Sequence, residues 1–120
     1  MNSEEIRDIV VEALDELKGI EIKVLDVRGK TSVTDILVIA SGGSSRQIRA
    51  LANNVQEMVK KRGVIPLSSE GTHESGWILI DLGDVVVHVM LRETRDFYNL
   101  EKLWGEEAPV EETDSSESKW

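Results

Sequence analysis

The chain has 120 residues, the size of one domain, and its 14 Lys and Arg against 23 Asp and Glu give a formal charge of −9. So acidic a chain is a poor candidate for gripping nucleic-acid phosphates by itself, because that binding runs on clustered Lys and Arg. It has no cysteine, which excludes disulfides, thiolate zinc sites and cysteine nucleophiles, and its longest apolar run, Ile36 to Ala40, is far short of the ~20 residues of a membrane helix.

Residues 3–17 open the pattern. Ile6, Ile9, Val10, Ala13, Leu14 and Leu17 share one helical stripe. Ser3 is the expected cap and Gly19 the expected left-handed residue after the helix. Glu4 and Glu5 suit the positive end of its dipole. The acidic start lacks the basic and apolar regions of a secretory signal, so the expected compartment is the cytoplasm.

Residues 22–28 read as a strand, closed by a turn at Gly29-Lys30. Residues 34–41 are apolar on both faces, as in a central strand. Gly42-Gly43-Ser44-Ser45 then opens a second helix whose stripe is Ile48, Leu51, Ala52, Val55 and Val59, ended by Gly63. Residues 65–70 give a short strand, placed at an edge or start by Pro66. Residues 77–82 and 85–91 form a hairpin across Gly83-Asp84, a type II′ signature. A third helix is expected over 92–104, packed with the help of Phe97, Tyr98 and Trp104. Residues 106–120 lack apolar periodicity and hold six acids against one base, so they are expected to be a disordered acidic tail. That tail carries −5 and residues 1–105 carry −4.

The two-residue turn sets the hairpin register, so that paired residue numbers sum to 167. One face pairs Leu82 with Val85, Ile80 with Val87 and Ile78 with Val89, and must be core. The other pairs Asp81 with Val86, Leu79 with His88 and Trp77 with Met90. This second face is either a further core layer with Asp81 at its rim or a partly open patch for a protein partner. Trp77 starts its strand after a polar loop, 72–76, that is expected to be mobile, which favours its exposure.

No active site emerges. His88 between Val87 and Val89 is most simply structural, and His73 has no second histidine near it. The Gly-Gly-Ser-Ser turn invites an anion, but it lacks the lysine of a P-loop and no acids follow to hold magnesium. Arg46 and Arg49 sit one turn apart and fit an acidic surface, RNA phosphate or plain solvent.

A set of motifs nevertheless stands together: Leu25-Asp26-Val27 with Gly29-Lys30, Thr34-Asp35, Ala40-Ser41-Gly42 with Ser44-Ser45-Arg46, Glu70-Gly71, Trp77, Asp81 to Val89, and Tyr98 to Trp104. In this combination the chain resembles the ribosomal silencing factor family (RsfS, also called Iojap) over residues 3–105. The resemblance implies a single α/β domain, α+β in its mixture: a mixed, roughly five-stranded sheet flanked by helices, like nucleotidyltransferases without their catalytic acids. It implies a non-enzymatic protein with no cofactor and no metal. Its partner would be ribosomal protein L-fourteen on the large ribosomal subunit, with small-subunit joining blocked and translation repressed, especially under nutrient limitation. Homodimers are expected in the free state. The family's partner-facing tryptophan matches Trp77; the register adds Leu79, Asp81, His88 and Met90, and charge adds Glu70 and Asp84. Tyr98, Leu100 and Trp104 match the family's C-terminal pattern, packing or touching a partner. The competing readings are a nucleotide-binding or nucleotidyltransferase-like enzyme using the Gly43-Ser44 turn, and a plain dimerisation module.

Overall fold

Strand β2 (Ile36–Gly42) is buried along its whole length, and every other element is arranged by that fact. In the computed structural model, which describes residues 1–30, 32, 34–72 and 75–98, the chain runs α1 (Ser3–Glu16), β1 (Ile20–Asp26), β2, α2 (Ser45–Lys61), β3 (Ser68–Thr72), β4 (Trp77–Asp81), β5 (Val85–Leu91), α3 (Arg92–Tyr98). The strands form one sheet in the order β1-β2-β5-β4-β3. Only β2 and β5 pair in parallel; the other pairs are antiparallel, so the sheet is mixed as expected. The segment from β2 back to β5 carries α2 across one face, the usual solution for joining parallel neighbours.

Period two divides the strands between two apolar layers. Ile36, Val38 and Ala40 of β2, Val85, Val87 and Val89 of β5, and Ile78 and Ile80 of β4 meet α1 and α2 in the main core. The α2 stripe is buried residue for residue as its spacing predicts. Leu37, Ile39, Val86 and Met90 point the other way and join Val27 in a second cluster, against which Leu25, Trp77 and Leu79 pack. The two helices are tied to each other by the Asn54 amide, which donates to the Ala13 carbonyl and to Glu16, both at 2.9 Å.

The hairpin has the predicted register in all five of its pairs, from Trp77 with Met90 to Asp81 with Val86. Gly83 turns at φ +91 and is the only positive-φ residue of the turn, as type II′ requires. Helix α2 starts at a Ser44 cap whose hydroxyl accepts from the Gln47 amide, and it ends in a Schellman motif with Gly63 at φ +90.

Several boundaries differ from expectation. The cap of α1 is Asn2, not Ser3: the Asn2 carboxamide and the Glu5 carboxylate bond each other's backbone amides at 2.8 and 3.0 Å, a reciprocal capping box. The left-handed residue ending α1 is Lys18, φ +63, and Gly19 is the next one, its N–H bonded to the Leu14 carbonyl at 2.8 Å. Strand β1 lies two residues earlier than its apolar pattern suggests, because a turn starting at Val27 uses the Val27 carbonyl for the Lys30 amide. Strand β3 starts after Pro66, not before it: the first N–H bonded to β4 in this stretch is that of Leu67, given to the Asp81 carbonyl. Phe97, expected to pack, is 79% exposed. The expected remainder of the third helix, with Leu100 and Trp104, and the acidic tail lie outside the described residues, as does the Tyr98 side chain.

A lysine in left-handed backbone is strained relative to glycine by about 1 kcal/mol. Lys18→Gly is therefore expected to raise the unfolding free energy by somewhat less than ~1 kcal/mol, since glycine also frees the unfolded chain. Urea denaturation of the two proteins checks this; a destabilised variant overturns the assignment of Lys18 as the capping residue.

A candidate protein-docking face around Trp77

Strand β4 exposes alternate residues: Ile78 and Ile80 are buried, while Trp77, Leu79 and Asp81 are half-buried. The three share the sheet face opposite α1 and α2. Glu70 pairs with Leu79 from β3 and is exposed. Asp84, also exposed, sits at the hairpin turn. The structure thus brings Trp77, Leu79, Asp81 and Glu70 onto one side of the outer half of the sheet, with Asp84 at its end.

His88 and Met90, expected to share the contact surface, have 0% exposure. They belong beneath it. Strand β5 is the middle strand of the five, and on this face the side chains of β2 and β4, among them Ile39, Trp77 and Leu79, pack around it, which period two alone could not show. Their role is to position Trp77: its indole N–H donates to His88 Nδ1 at 2.9 Å, with the rings 5.8 Å apart and tilted by 49°. This is a diagonal cross-strand pair, since Leu79, not Trp77, stands directly opposite His88. Burial pushes the His88 pKa down to about 4, so the ring is neutral at pH 7 and its Nδ1 is free of a proton to accept the indole bond.

Glycines hold the two ends of the Trp77 approach. Gly71 in β3 has φ +90, and a Cβ there would collide with the Trp77 carbonyl. Gly76 has φ +80 and its carbonyl accepts the Leu91 amide at 2.9 Å. Between them Ser75 Oγ donates to the Thr72 carbonyl at 2.7 Å and Ser75 N–H donates to Thr72 Oγ1 at 3.1 Å. The ends of the loop expected to be mobile are thus cross-bonded; His73 and Glu74 lie outside the described residues.

Asp81 has two uses. One oxygen accepts the Gly83 amide at 2.9 Å and shapes the turn, which leaves a partly accessible carboxylate on the Trp77 side. Asp84 fixes the hairpin to the sheet: its carbonyl accepts the amides of Asp35 and Ile36 at 3.0 and 3.1 Å. Arg95 escaped sequence reasoning altogether. It is 3% exposed, and its guanidinium donates to Ser41 Oγ at 2.9 Å and to the Ile20 carbonyl at 3.3 Å, joining α3 to two strands. An arginine in a polar helix has no local signal for such burial.

The Gly-Gly-Ser-Ser turn is a capping turn. The Gly43 N–H goes to Gln47 Oε1 at 2.8 Å and the Gln47 N–H to Ser44 Oγ, so two of the amides an anion would use are occupied. Gly42 is needed for close packing: a Cβ there would come within 2.8 Å of Ile48 Cγ2. Among the described residues no three acids or histidines stand close enough to hold a metal ion.

The family model described as "Ribosomal silencing factor during starvation" matches residues 1–119, which takes in most of the acidic tail as well as the domain. Among curated proteins, ribosomal silencing factor RsfS of Chromobacterium violaceum is 49% identical over 91% of this chain and 89% of its own length. That of Bacillus subtilis is 40% identical over 95% of this chain and 96% of its own. A mouse protein named for mitochondrial assembly of the ribosomal large subunit is 36% identical over 81% of this chain and 44% of its own. Among solved structures, a Chromobacterium violaceum protein superposes with a TM-score of 0.85 at 45% identity, covering 98% of each chain.

Two outcomes test the site's construction. Because the folded His88 pKa lies below its ordinary value, the unfolded chain binds the extra proton between about pH 6.5 and about 4. Stability is therefore full above that window and falls as pH drops through it, by up to ~3 kcal/mol. Denaturation curves of wild type and His88→Gln separate this from other titrations: the variant should lose the slope in that window, and an unchanged slope overturns the assignment. Gly71→Ala should cost ~2 kcal/mol or more through backbone collision and left-handed strain, measured in the same way.

Proposed function

The chain belongs to the RsfS family of ribosomal silencing factors, and from that premise we propose that it docks on the large ribosomal subunit through ribosomal protein L-fourteen. Bound there, it stands where the small subunit would join and represses translation by exclusion, with nutrient limitation as the setting in which this matters. It acts in the cytoplasm, as a homodimer when free, and it performs no chemistry.

The observation that supports the docking is the built position of Trp77. A half-buried indole, held by a neutral buried histidine and flanked by Leu79, is a rigid amphipathic anchor of the kind that dominates interface energetics. Its orientation is fixed before binding, so little entropy is lost on contact. Glu70, Asp81 and Asp84 edge the same region with negative charge, which complements a basic ribosomal protein and speeds encounter.

Trp77→Ala should remain folded, by circular dichroism, yet lose ~2 kcal/mol of affinity for isolated large subunits, about thirty-fold. Gradient sedimentation of purified protein with separated subunits reads both parts of the proposal. Wild type should travel with the large subunit and reduce joined ribosomes, and the variant should do neither at the same concentration. Equal co-sedimentation of the two proteins would falsify the Trp77 assignment; binding without loss of joined ribosomes overturns exclusion.

A further inference from the structure

The charge of the described residues is segregated. Residues 45–62 hold Arg46, Arg49, Lys60, Lys61 and Arg62 against one acid, Glu57, in a chain that is otherwise strongly acidic. All five cations are exposed. None takes part in an ion pair among the described residues, although α1 beside them carries Glu4, Glu5, Asp8, Glu12, Asp15 and Glu16. The two helices join through the neutral amides of Asn54 and Gln47. The acids of α1 therefore leave the cations of α2 unneutralised.

The cations are also aligned. The core-facing residues of α2 are Ile48, Leu51, Ala52, Val55 and Val59. At 100° per residue, Arg46, Asn53, Glu57, Lys60 and Lys61 lie on the side opposite them, with Arg49 on the flank, so the outer face holds one exposed acid among its cations. From Arg46 to Lys60 the stripe runs about 21 Å at about 1.5 Å per residue. Exposed Asn53 adds a neutral donor within it. With cations toward both ends of a straight rod and Glu57 as the one acid between them, the face is net positive and suits an extended polyanion, not a single small anion. Since α2 covers the sheet face opposite Trp77, the stripe faces away from the proposed protein-docking side.

We infer that the outer face of α2 is a second contact surface, which binds the phosphate backbone of RNA. The stripe itself calls for a polyanion; that the polyanion is RNA rests on the ribosomal setting proposed above. The contact is independent of Trp77 and of sequence, because cations on phosphates position a nucleic acid without reading its bases. It also reconciles an acidic chain with RNA: binding depends on the local field of one helix and not on net charge.

Fluorescence anisotropy of the full chain with a labelled RNA hairpin tests this. Wild type should bind at 50 mM salt and weaken steeply toward 200 mM, with a log–log slope of about −2 to −4 for three or four phosphate contacts. Arg46→Glu with Arg49→Glu should lower affinity at least ten-fold at 50 mM salt while Trp77→Ala leaves it unchanged. Lys60→Glu alone should give an intermediate loss. Absence of binding at 50 mM salt, a double variant that binds like wild type, or equal affinity for polyglutamate overturns the inference. The docking proposal fails separately, in co-sedimentation of Trp77→Ala with large subunits, so either reading can fall while the other stands.

Discussion

The two-residue turn at Gly83-Asp84 is the constraint on which the molecule depends. It fixes the β4–β5 register, and with period two the register decides which residues meet the helices and which meet the other side. A slip of one residue would present Trp77, Leu79 and Asp81 to α1 and α2 and send Ile78 and Ile80 outward. The turn is itself secured from two directions, by the Asp81 carboxylate on the Gly83 amide and by the Asp84 carbonyl at the start of β2. Hairpin, central strand and candidate docking face are thus set by one short segment.

Much of this was legible in the sequence, for identifiable reasons. The α2 stripe and the hairpin are regular patterns with one dominant period, and both appear residue for residue. The boundaries that moved are those where local bonding outcompetes pattern. Asn2 and Ser3 are equally good caps in isolation, and Glu5 selects Asn2 because it lies three residues after it. The end of α1 shows the converse: Gly19 is present, but the left-handed turn falls one residue earlier, on Lys18. In the candidate site, alternation placed Trp77, Leu79, Asp81, His88 and Met90 on one face correctly and could not distinguish the half-open strand β4 from the middle strand β5. His88 and Met90 are buried because apolar side chains of β2 and β4 on that face, Trp77 and Leu79 included, pack around them. Phe97, expected to pack, is exposed, while the charged Arg95 two residues before it is buried, and no periodicity anticipates that.

The molecule separates its surfaces by physical type. Around Trp77 the surface is aromatic and aliphatic with carboxylates about it, suited to a basic protein. Along α1 it is acidic, and along α2 it is cationic. Net charge, an average over these, describes none of them. The same separation appears in the interior, where one apolar layer serves the helices and the other supports Trp77 through a neutral histidine. Burial that would be a cost for a charged imidazole here keeps the imidazole neutral, and neutrality is what the indole bond requires.

Both outer strands carry one left-handed residue, Glu21 at φ +49 in β1 and Gly71 at φ +90 in β3. In β1 this coincides with the register irregularity between Ile20 and Lys23. Neither border of the sheet is therefore a flat, continuous ladder along which a further strand could add in register. Fibre-like growth by strand addition is resisted at both borders of the sheet.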